Sequence, residues 1–467
     1  MLIRRDDKYP FSHFYRMGSL SFFGGVGEIG GNKILLDDDG TRVWLDFGQS
    51  FDQGTEYFVN WLQPRRSSGL RDYFEFGLLP EIRGLYDEGM LDGTWLCYEE
   101  PCFHGVFLSH AHADHVNHLK FLDPGIPVHL GEGTRFFMEA MEKTSGFADY
   151  GSHDYKGFRT GDKVRVDDLE FRPIHVDHSI PAAYGYIIYA SDFTLVYTGD
   201  IRAHGPRYDM TLEFLEAAEE AEPDCMICEG TRLTRTGNRK HLSEAQVSNG
   251  VRKVCRDSSG DMVLFTQPSR DMDRWRTFYE AAEECGRALV IHPKTAYLLH
   301  MLVKDEHLDL PDPRADPGIR VYYKRKRSGS YDEKDYYVWE REYMDRMITA
   351  EEIRERPRGY LVNLDFYSFT ELIDLRPEPG SPFIYSMSEP FTEEDLEEEV
   401  LHNWLGHFQL EYHQLHASGH MSTAELKKAI EEIAPDKLFP IHTEGPEKFQ
   451  QLHPNVILQE IGKKYSI

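Results

Sequence analysis

The chain has 467 residues, a formal net charge of −28 and 40% hydrophobic residues. It is long enough for two cores of moderate size, and no apolar run reaches the roughly 18 residues that a helical membrane span needs. Its acidity excludes nucleic-acid binding by bulk charge alone; a polyanionic partner would have to be caught by a local basic groove or by bound cations.

The opening stretch MLIRRDDKYPFSHFYRMG is charged and aromatic. It has no apolar core and no small-residue cleavage site, so a cytoplasmic location is expected. Gly25-Val26-Gly27-Glu28-Ile29-Gly30 then spells the G-x-G-x-x-G of dinucleotide-binding loops. That fingerprint works where a strand ends and a helix opens, because the pyrophosphate rests on the helix N-terminus. Here residues 34–36 read as a strand, Asp38-Asp39-Gly40 as a turn and residues 42–46 as the returning strand. This is a β-hairpin, so the glycines are expected to turn the chain tightly rather than to cradle a nucleotide.

Residues 106–108 form a short apolar strand running into Ser109-His110-Ala111-His112-Ala113-Asp114-His115, with a helical pattern from about Val116. His110 and His112 are two apart and can point the same way in an extended loop. Asp114 and His115 are adjacent and diverge, as two different ions would require. Ala111 and Ala113 leave room. His178 follows a strand ending near Val176, Asp200 ends the strand in FTLVYTGD, and Asp46 ends the hairpin. Histidines and aspartates at converging strand ends make a metal pocket for zinc, manganese or iron, and a carboxylate able to bridge, such as Asp200, suits two ions.

Cys225 and Cys228 form a C-x-x-C inside PDCMICEGT. With no second pair, a buried strand is expected rather than a redox or zinc site. Further on, TLEFLEAAEEAE and DMDRWRTFYEAAEECG read as helices, and CMICEG, DMVLFTQ and RALVIHP as strands. EEDLEEEV reads as a solvated helix face. Near the end, His416-Ala417-Ser418-Gly419-His420 precedes a helix capped at Ser422 or Thr423, with Glu425 in its first turn. A strand over residues 437–441 then ends in His442-Thr443-Glu444-Gly445.

Asp46, His110-x-His112-x-Asp114-His115, His178 and Asp200 together resemble the motifs of the metallo-β-lactamase superfamily. The resemblance implies an αββα sandwich with a dinuclear site at its strand ends. It implies His110, His112 and His178 on one ion, Asp114 and His115 on the other, Asp200 bridging, and Asp46 orienting the loop from behind. His420 and His442 resemble the C-terminal pair of the β-CASP nucleases, and Glu229 matches their acidic motif. The form H-x-S-G-H and the run GGVGEIGGN resemble the ribonuclease J branch. On this pattern residues 1–204 and 406–467 are two segments of the metallo-β-lactamase domain, and residues 205–405 are an inserted α/β β-CASP domain.

The implied function is a ribonuclease using two divalent ions, zinc first and manganese second. Its substrate would be single-stranded RNA, degraded 5′-to-3′ with endonuclease action open. A β-CASP endonuclease of RNA 3′-end processing, a DNA-directed nuclease and an inactive RNA-binding subunit are the alternatives. Asp114 would hold the attacking water, His442 would complete the second ion's shell, and His420, with Glu229, would serve the phosphate or the leaving 3′-oxygen. His416 and Ser418 would bind a 5′-phosphate, with Arg232, Ser269 and Arg270 as further substrate contacts. Arg235, Arg239 and Lys240 lie near the same cleft in sequence. YYKRKRSGS, with Lys324, Arg325, Lys326 and Arg327 beside Tyr322 and Tyr323, is a candidate RNA-facing patch, a solvated loop being the equal alternative. The sequence departs from the pattern in FTQPSRDMDR, which loosely matches a Ser-Asn-rich loop, and in the long span between Asp46 and His110. The short stretch after His442 leaves a homodimer open.

Overall fold

The computed structural model describes residues 18–59, 62–234, 242–258, 260–388 and 396–467. Strict alternation builds the first layer. Leu20 and Phe22 of Ser19–Gly24, Ile34 and Leu36 of Lys33–Asp38, and Val43 and Leu45 of Thr41–Phe47 all point to one face and are fully buried. Period two requires this of strands with one common core. The hairpin turns at Asp39 and Gly40, both at positive φ (49° and 98°), which matches the twist of the flanking strands. The first sheet runs Lys464–Ser466, Ser19–Gly24, Lys33–Asp38, Thr41–Phe47, Gly105–Phe107, Val128–Gly131, Tyr155–Phe158.

The second sheet runs Lys437–Ile441, Cys225–Glu229, Thr194–Tyr197, Tyr184–Tyr189, Leu169–His175, Val164–Val166. It packs face to face on the first, with Phe107 stacked on Phe171 at 3.6 Å between ring centres. Helices Tyr208–Glu220 and Thr423–Ile433 cover its outer side through Phe214, Leu215, Leu426 and Ile430. This is an αββα sandwich. The third sheet is parallel throughout, in the order Met347–Ile348, Ile319–Tyr322, Ala288–Ile291, Tyr360–Asn363, Val263–Thr266, Pro382–Tyr385, Glu411–Gln414.

Two strands lie in sheets other than those the expected boundaries at 205 and 405 would give them. Cys225–Glu229 pairs in parallel between Thr194–Tyr197 and Lys437–Ile441 of the sandwich, and Glu411–Gln414 pairs with Pro382–Tyr385 of the third sheet. An apolar run announces a strand but not its neighbour. Within Cys225–Glu229, Cys225 faces the sandwich interior and Cys228 the covering helices; both are free, buried thiols. On opposite faces they cannot share an ion, so the strand reading holds.

The two tyrosines of the basic stretch are not available to stack on bases. Tyr322 and Tyr323 are buried and donate to Glu371 and to the Glu340 carbonyl, so neither ring can stack on a base. Lys324 donates to Ser368, Arg325 pairs with Glu351 and Lys326 with Glu340. Arg235, Arg239 and Lys240 lie outside the described residues. Among the described residues no helix is long and apolar enough to cross a membrane.

Ser422 caps Thr423–Ile433 in a reciprocal capping box with Glu425. Burial alone would raise the Glu425 carboxyl, but hydrogen bonds from His204 and Ser422 bring it from 4.5 down to about 2. Its folded pKa is below its unfolded one, so its contribution is fully present above about pH 4.5 and is lost as pH falls through about 2. Glu425→Gln is expected to flatten stability against pH in that window; an unchanged slope in acid titrations of the urea midpoint would refute the assignment.

Candidate metal centre

The pocket lies where the ends of Thr41–Phe47, Gly105–Phe107, Leu169–His175, Thr194–Tyr197 and Lys437–Ile441 meet. Thr41–Phe47 delivers Asp46 in a left-handed conformation (φ 57°), and Lys437–Ile441 delivers His442 likewise (φ 53°). Such backbone is costly outside glycine and persists where surrounding contacts hold it. For His442 those contacts begin with its own N–H, which donates to the Gly25 carbonyl at 2.8 Å, while Val26 and Thr443 form a β-bridge. The glycine run therefore opens no helix. It wraps the metal loop: Gly30 has φ 83°, and a Cβ there would meet Asp114 Oδ2 at 2.7 Å. Gly48, which the sequence reading passed over, is held as tightly. A Cβ on it would overlap the Asp114 carbonyl and the His115 amide.

The helix after Gly105–Phe107 begins earlier than its pattern suggested, at Ala113, so Asp114 and His115 sit in its single turn, Ala113–Val116. Ring nitrogens and carboxylate oxygens then converge in two sets. His110, His112, His178 and Asp200 form one; Asp114, His115 and His442 form the other; Asp200, His420 and His442 also converge. Asp200 Oδ2 stands between the sets, 3.6 Å from His110 Nε2, 3.8 Å from His178 Nε2, 3.4 Å from His115 Nε2 and 3.7 Å from His442 Nε2. Asp114 Oδ2 is 3.0 Å from His442 Nε2.

The outward edge of each ring explains why the inward nitrogen is open. His115 Nδ1 donates to Asp46 Oδ2 at 2.8 Å, His178 Nδ1 to the Gly419 carbonyl at 2.7 Å, and His442 Nδ1 meets Thr231 Oγ1 at 2.8 Å. His110 Nδ1 meets Ser109 Oγ at 3.0 Å; the Ser109 hydroxyl proton goes to Asp46 Oδ2, leaving its lone pairs to accept. A proton held on Nδ1 leaves Nε2 as a lone pair, the arrangement of metal-ligating histidines.

The donor set fits divalent cations. His112 Nδ1 lies 2.9 Å from His110 Nε2 and 3.1 Å from His178 Nε2. Burial holds all three rings neutral, lowering His112 to about 4 and the other two well below the usual range. Three lone pairs facing one point repel unless a cation sits among them, and the spacing is close to the ~3.3 Å between ligands of a tetrahedral zinc. In the second set burial would lower His115 and His442, yet Asp200 and Asp114 hold both above the ordinary value, His442 at about 9. In the metal-free protein the second proton of each ring sits on Nε2 and stands in for positive charge between the carboxylates; a bound cation would displace it and free the Nε2 lone pair. His115 Nε2 and Asp200 Oδ1 are buried with no hydrogen-bond partner, the orphan atoms that an ion would satisfy.

Beside the metal loops, His420 Nδ1 lies 3.2 Å from Glu229 Oε1, a carboxylate only 1% exposed. Arg232 donates to the His420 carbonyl at 3.1 Å. The expected ligands, Asp46, Glu229 and His420 are thus brought together. His416 and Ser418 lie on the loop that leads to His420, and His204 Nε2 donates to the Ser418 carbonyl at 2.9 Å. Arg270 is close enough for its charge to depress His112 further; Ser269 is exposed on the same loop. Ser109, Thr231 and Tyr197, whose hydroxyl donates to Asp46 at 2.6 Å, were missed. Ser109 had a local signal, since it immediately precedes His110. Thr231 and Tyr197 had none.

Residues 98–265 match the family model described as a beta-lactamase superfamily domain. Ribonuclease J of Sinorhizobium meliloti is 24% identical over 437 residues, covering 90% of this chain and 68% of that protein. Ribonuclease J 2 of Streptococcus pyogenes is 21% identical over 433 residues, covering 90% and 69%. The crystal structure of a protein of unknown function from Enterococcus faecalis V583 superposes with a TM-score of 0.78 at 22% identity, over 97% of this chain and all of that one, and shares the fold. The sandwich brings the expected donor residues together, and the chain, of metallo-β-lactamase fold, is similar to these ribonucleases J along nine-tenths of its length.

Proposed function

We propose that the chain is a metal-dependent phosphodiesterase that degrades single-stranded RNA from a 5′-monophosphate end. The observation that carries this reading is the pair of donor sets with Asp200 Oδ2 between them and the loop from His416 to His420 beside them. On this reading the third sheet and its helices, from about residue 243 to 414, are the β-CASP unit. His110, His112 and His178 would hold one divalent cation and Asp114, His115 and His442 the other, with Asp200 placed to serve both; zinc suits the nitrogen-rich set and manganese is the second choice. Bound there, the ions supply Lewis acidity to the phosphoryl group.

The chain's own residues do the rest. Asp114 presents a carboxylate, held low in pKa by His115 and His442 against the effect of burial, that can orient the attacking water. Glu229 fixes the His420 ring through Nδ1, which turns Nε2 toward the pocket to protonate the leaving 3′-oxygen. Arg232 buttresses that loop at the His420 carbonyl. His416 and Ser418 receive the terminal phosphate, and Arg270 is a phosphate contact at the mouth beside His112.

The test is a 3′-labelled, 5′-monophosphorylated single-stranded RNA beside its circular form and a DNA of the same sequence, with zinc or manganese. Progressive loss of the linear RNA, release of 5′-mononucleotides and survival of the circle are expected. Cutting of the circle would replace the exonuclease with an endonuclease. DNA cleavage alone would change the substrate. Metal binding without any cleavage would leave an RNA-binding subunit.

A further inference from the structure

Four buried charged side chains, Asp177, Arg202, Glu244 and Arg274, with the partly exposed Asp273, form a chain between the sandwich and the half that carries the third sheet. Arg202, two residues after Asp200, is fully buried and donates to Asp177 Oδ1 at 2.8 Å, beside His178. It also reaches Glu244 Oε1 at 3.3 Å and pairs with Asp273. Arg274, likewise fully buried, donates to both Glu244 oxygens, at 2.8 and 3.2 Å. Its remaining donors go to Ser386, at 2.6 Å to Oγ and 3.1 Å to the carbonyl, and to the Ala417 carbonyl at 3.3 Å, and it lies 3.4 Å from His416 Nδ1. Ser386 also meets that ring, its carbonyl 3.2 Å from His416 Nδ1. Glu244 is tied to the same loop a second time. Its amide donates to the His204 carbonyl, and the His204 ring donates to the Ser418 carbonyl.

A buried carboxylate between two buried guanidiniums is a rigid element, because every partner it loses leaves a charge uncompensated. Burial works against the Glu244 charge, but Arg274 and Arg202 hold its carboxyl below the usual range. Ser243, which caps the helix Glu244–Asp257 in a reciprocal box with Gln246, fixes where that carboxylate starts. One end of the chain therefore abuts the ligand-bearing strand ends, and the other grips the His416 ring and the Ala417 carbonyl.

We propose that Glu244 is a positioning residue which, through Arg274 and Arg202, sets the His416–Gly419 loop at a fixed place relative to the metal centre and so governs recognition of the substrate's terminal phosphate. The phosphate part rests on the reading of His416 and Ser418 given above; the positioning part does not.

The test compares metal-loaded wild type with Glu244→Gln, Glu244→Asp and Arg274→Lys. KM and kcat are measured separately on 5′-monophosphate and 5′-hydroxyl RNA. The His416 ring signal is followed in histidine-labelled protein, assigned with His416→Gln. Glu244→Gln is expected to keep its metal content, to move the His416 signal and to raise KM for 5′-monophosphate RNA about tenfold, with kcat within about threefold and KM for 5′-hydroxyl RNA unchanged. Glu244→Asp should recover part of the loss. Where Glu244→Gln does not fold, Arg274→Lys carries the test, since it keeps the charge but loses the fork. A folded variant with an unmoved His416 signal and an unchanged KM overturns the proposal, as does an equal rise in KM for both RNAs. If wild type cleaves no RNA, the functional reading fails and the His416 signal alone decides the positioning.

Discussion

Asp200→Asn is expected to lower hydrolysis by at least about 1,000-fold and to reduce bound metal to one ion per chain or none, with the fold intact. Asp200 Oδ2 is within 3.8 Å of a histidine nitrogen from each donor set, so its charge reaches both sets. Asparagine keeps the size but removes the charge and turns one oxygen into an amide that cannot ligate. Burial disfavours the Asp200 charge, yet His442 and His115 hold the carboxyl well below its usual range. Removing it leaves those two histidines with fewer reasons to keep a proton and a cation with fewer reasons to replace it. Metal per chain by elemental analysis, RNA cleavage at saturating metal and circular dichroism read the three parts. Near-wild-type cleavage by a folded Asp200→Asn protein would refute the bridging role.

The candidate donor residues were legible because each sits in a short local pattern. His110, His112, Asp114 and His115 fall within one loop, and His178, Asp200 and His442 each follow an apolar run that could only be a strand. The hairpin and the Ser422–Glu425 capping box were legible for the same reason: turn and cap chemistry are local. What long-range pairing decides was not. Nothing near Cys225 says that its strand lies between Thr194–Tyr197 and Lys437–Ile441. Tyr322 and Tyr323 beside four basic residues read equally well as a surface patch, until the third sheet buries both rings and acidic partners take up Arg325 and Lys326. Arg202, Glu244 and Arg274 are spread along the chain with no local signal; only the fold reveals that they are buried and in contact.

Asp46→Ala is expected to cost the metal-free protein about 3–5 kcal/mol of stability. Asp46 is fully buried and accepts from the Ser109 amide at 2.7 Å, the Ser109 hydroxyl at 2.7 Å, His115 Nδ1 at 2.8 Å and the Tyr197 hydroxyl at 2.6 Å. Alanine strands all four donors at once, and water cannot replace the carboxylate in a site of zero exposure without opening the sandwich. It also removes the partner that orients the His115 ring, which is expected to weaken metal binding by roughly 10–100-fold. Since the ions bind the folded state alone, that loss adds about 1.4–2.7 kcal/mol to the deficit once metal is present. Urea unfolding of wild type and variant, each with metal and with chelator, separates the two contributions. The chelated pair gives the cost of the stranded donors, and the widening of the gap on adding metal gives the cost to His115. Asp46→Asn sharpens the comparison: it keeps the volume and one acceptor but turns an amide toward the donors, so it should still lose more than half of the stability that alanine loses. Equal midpoints for wild type and Asp46→Ala in chelator would mean that the four donors find other partners. A gap that does not widen with metal would mean that Asp46 braces the fold without orienting His115.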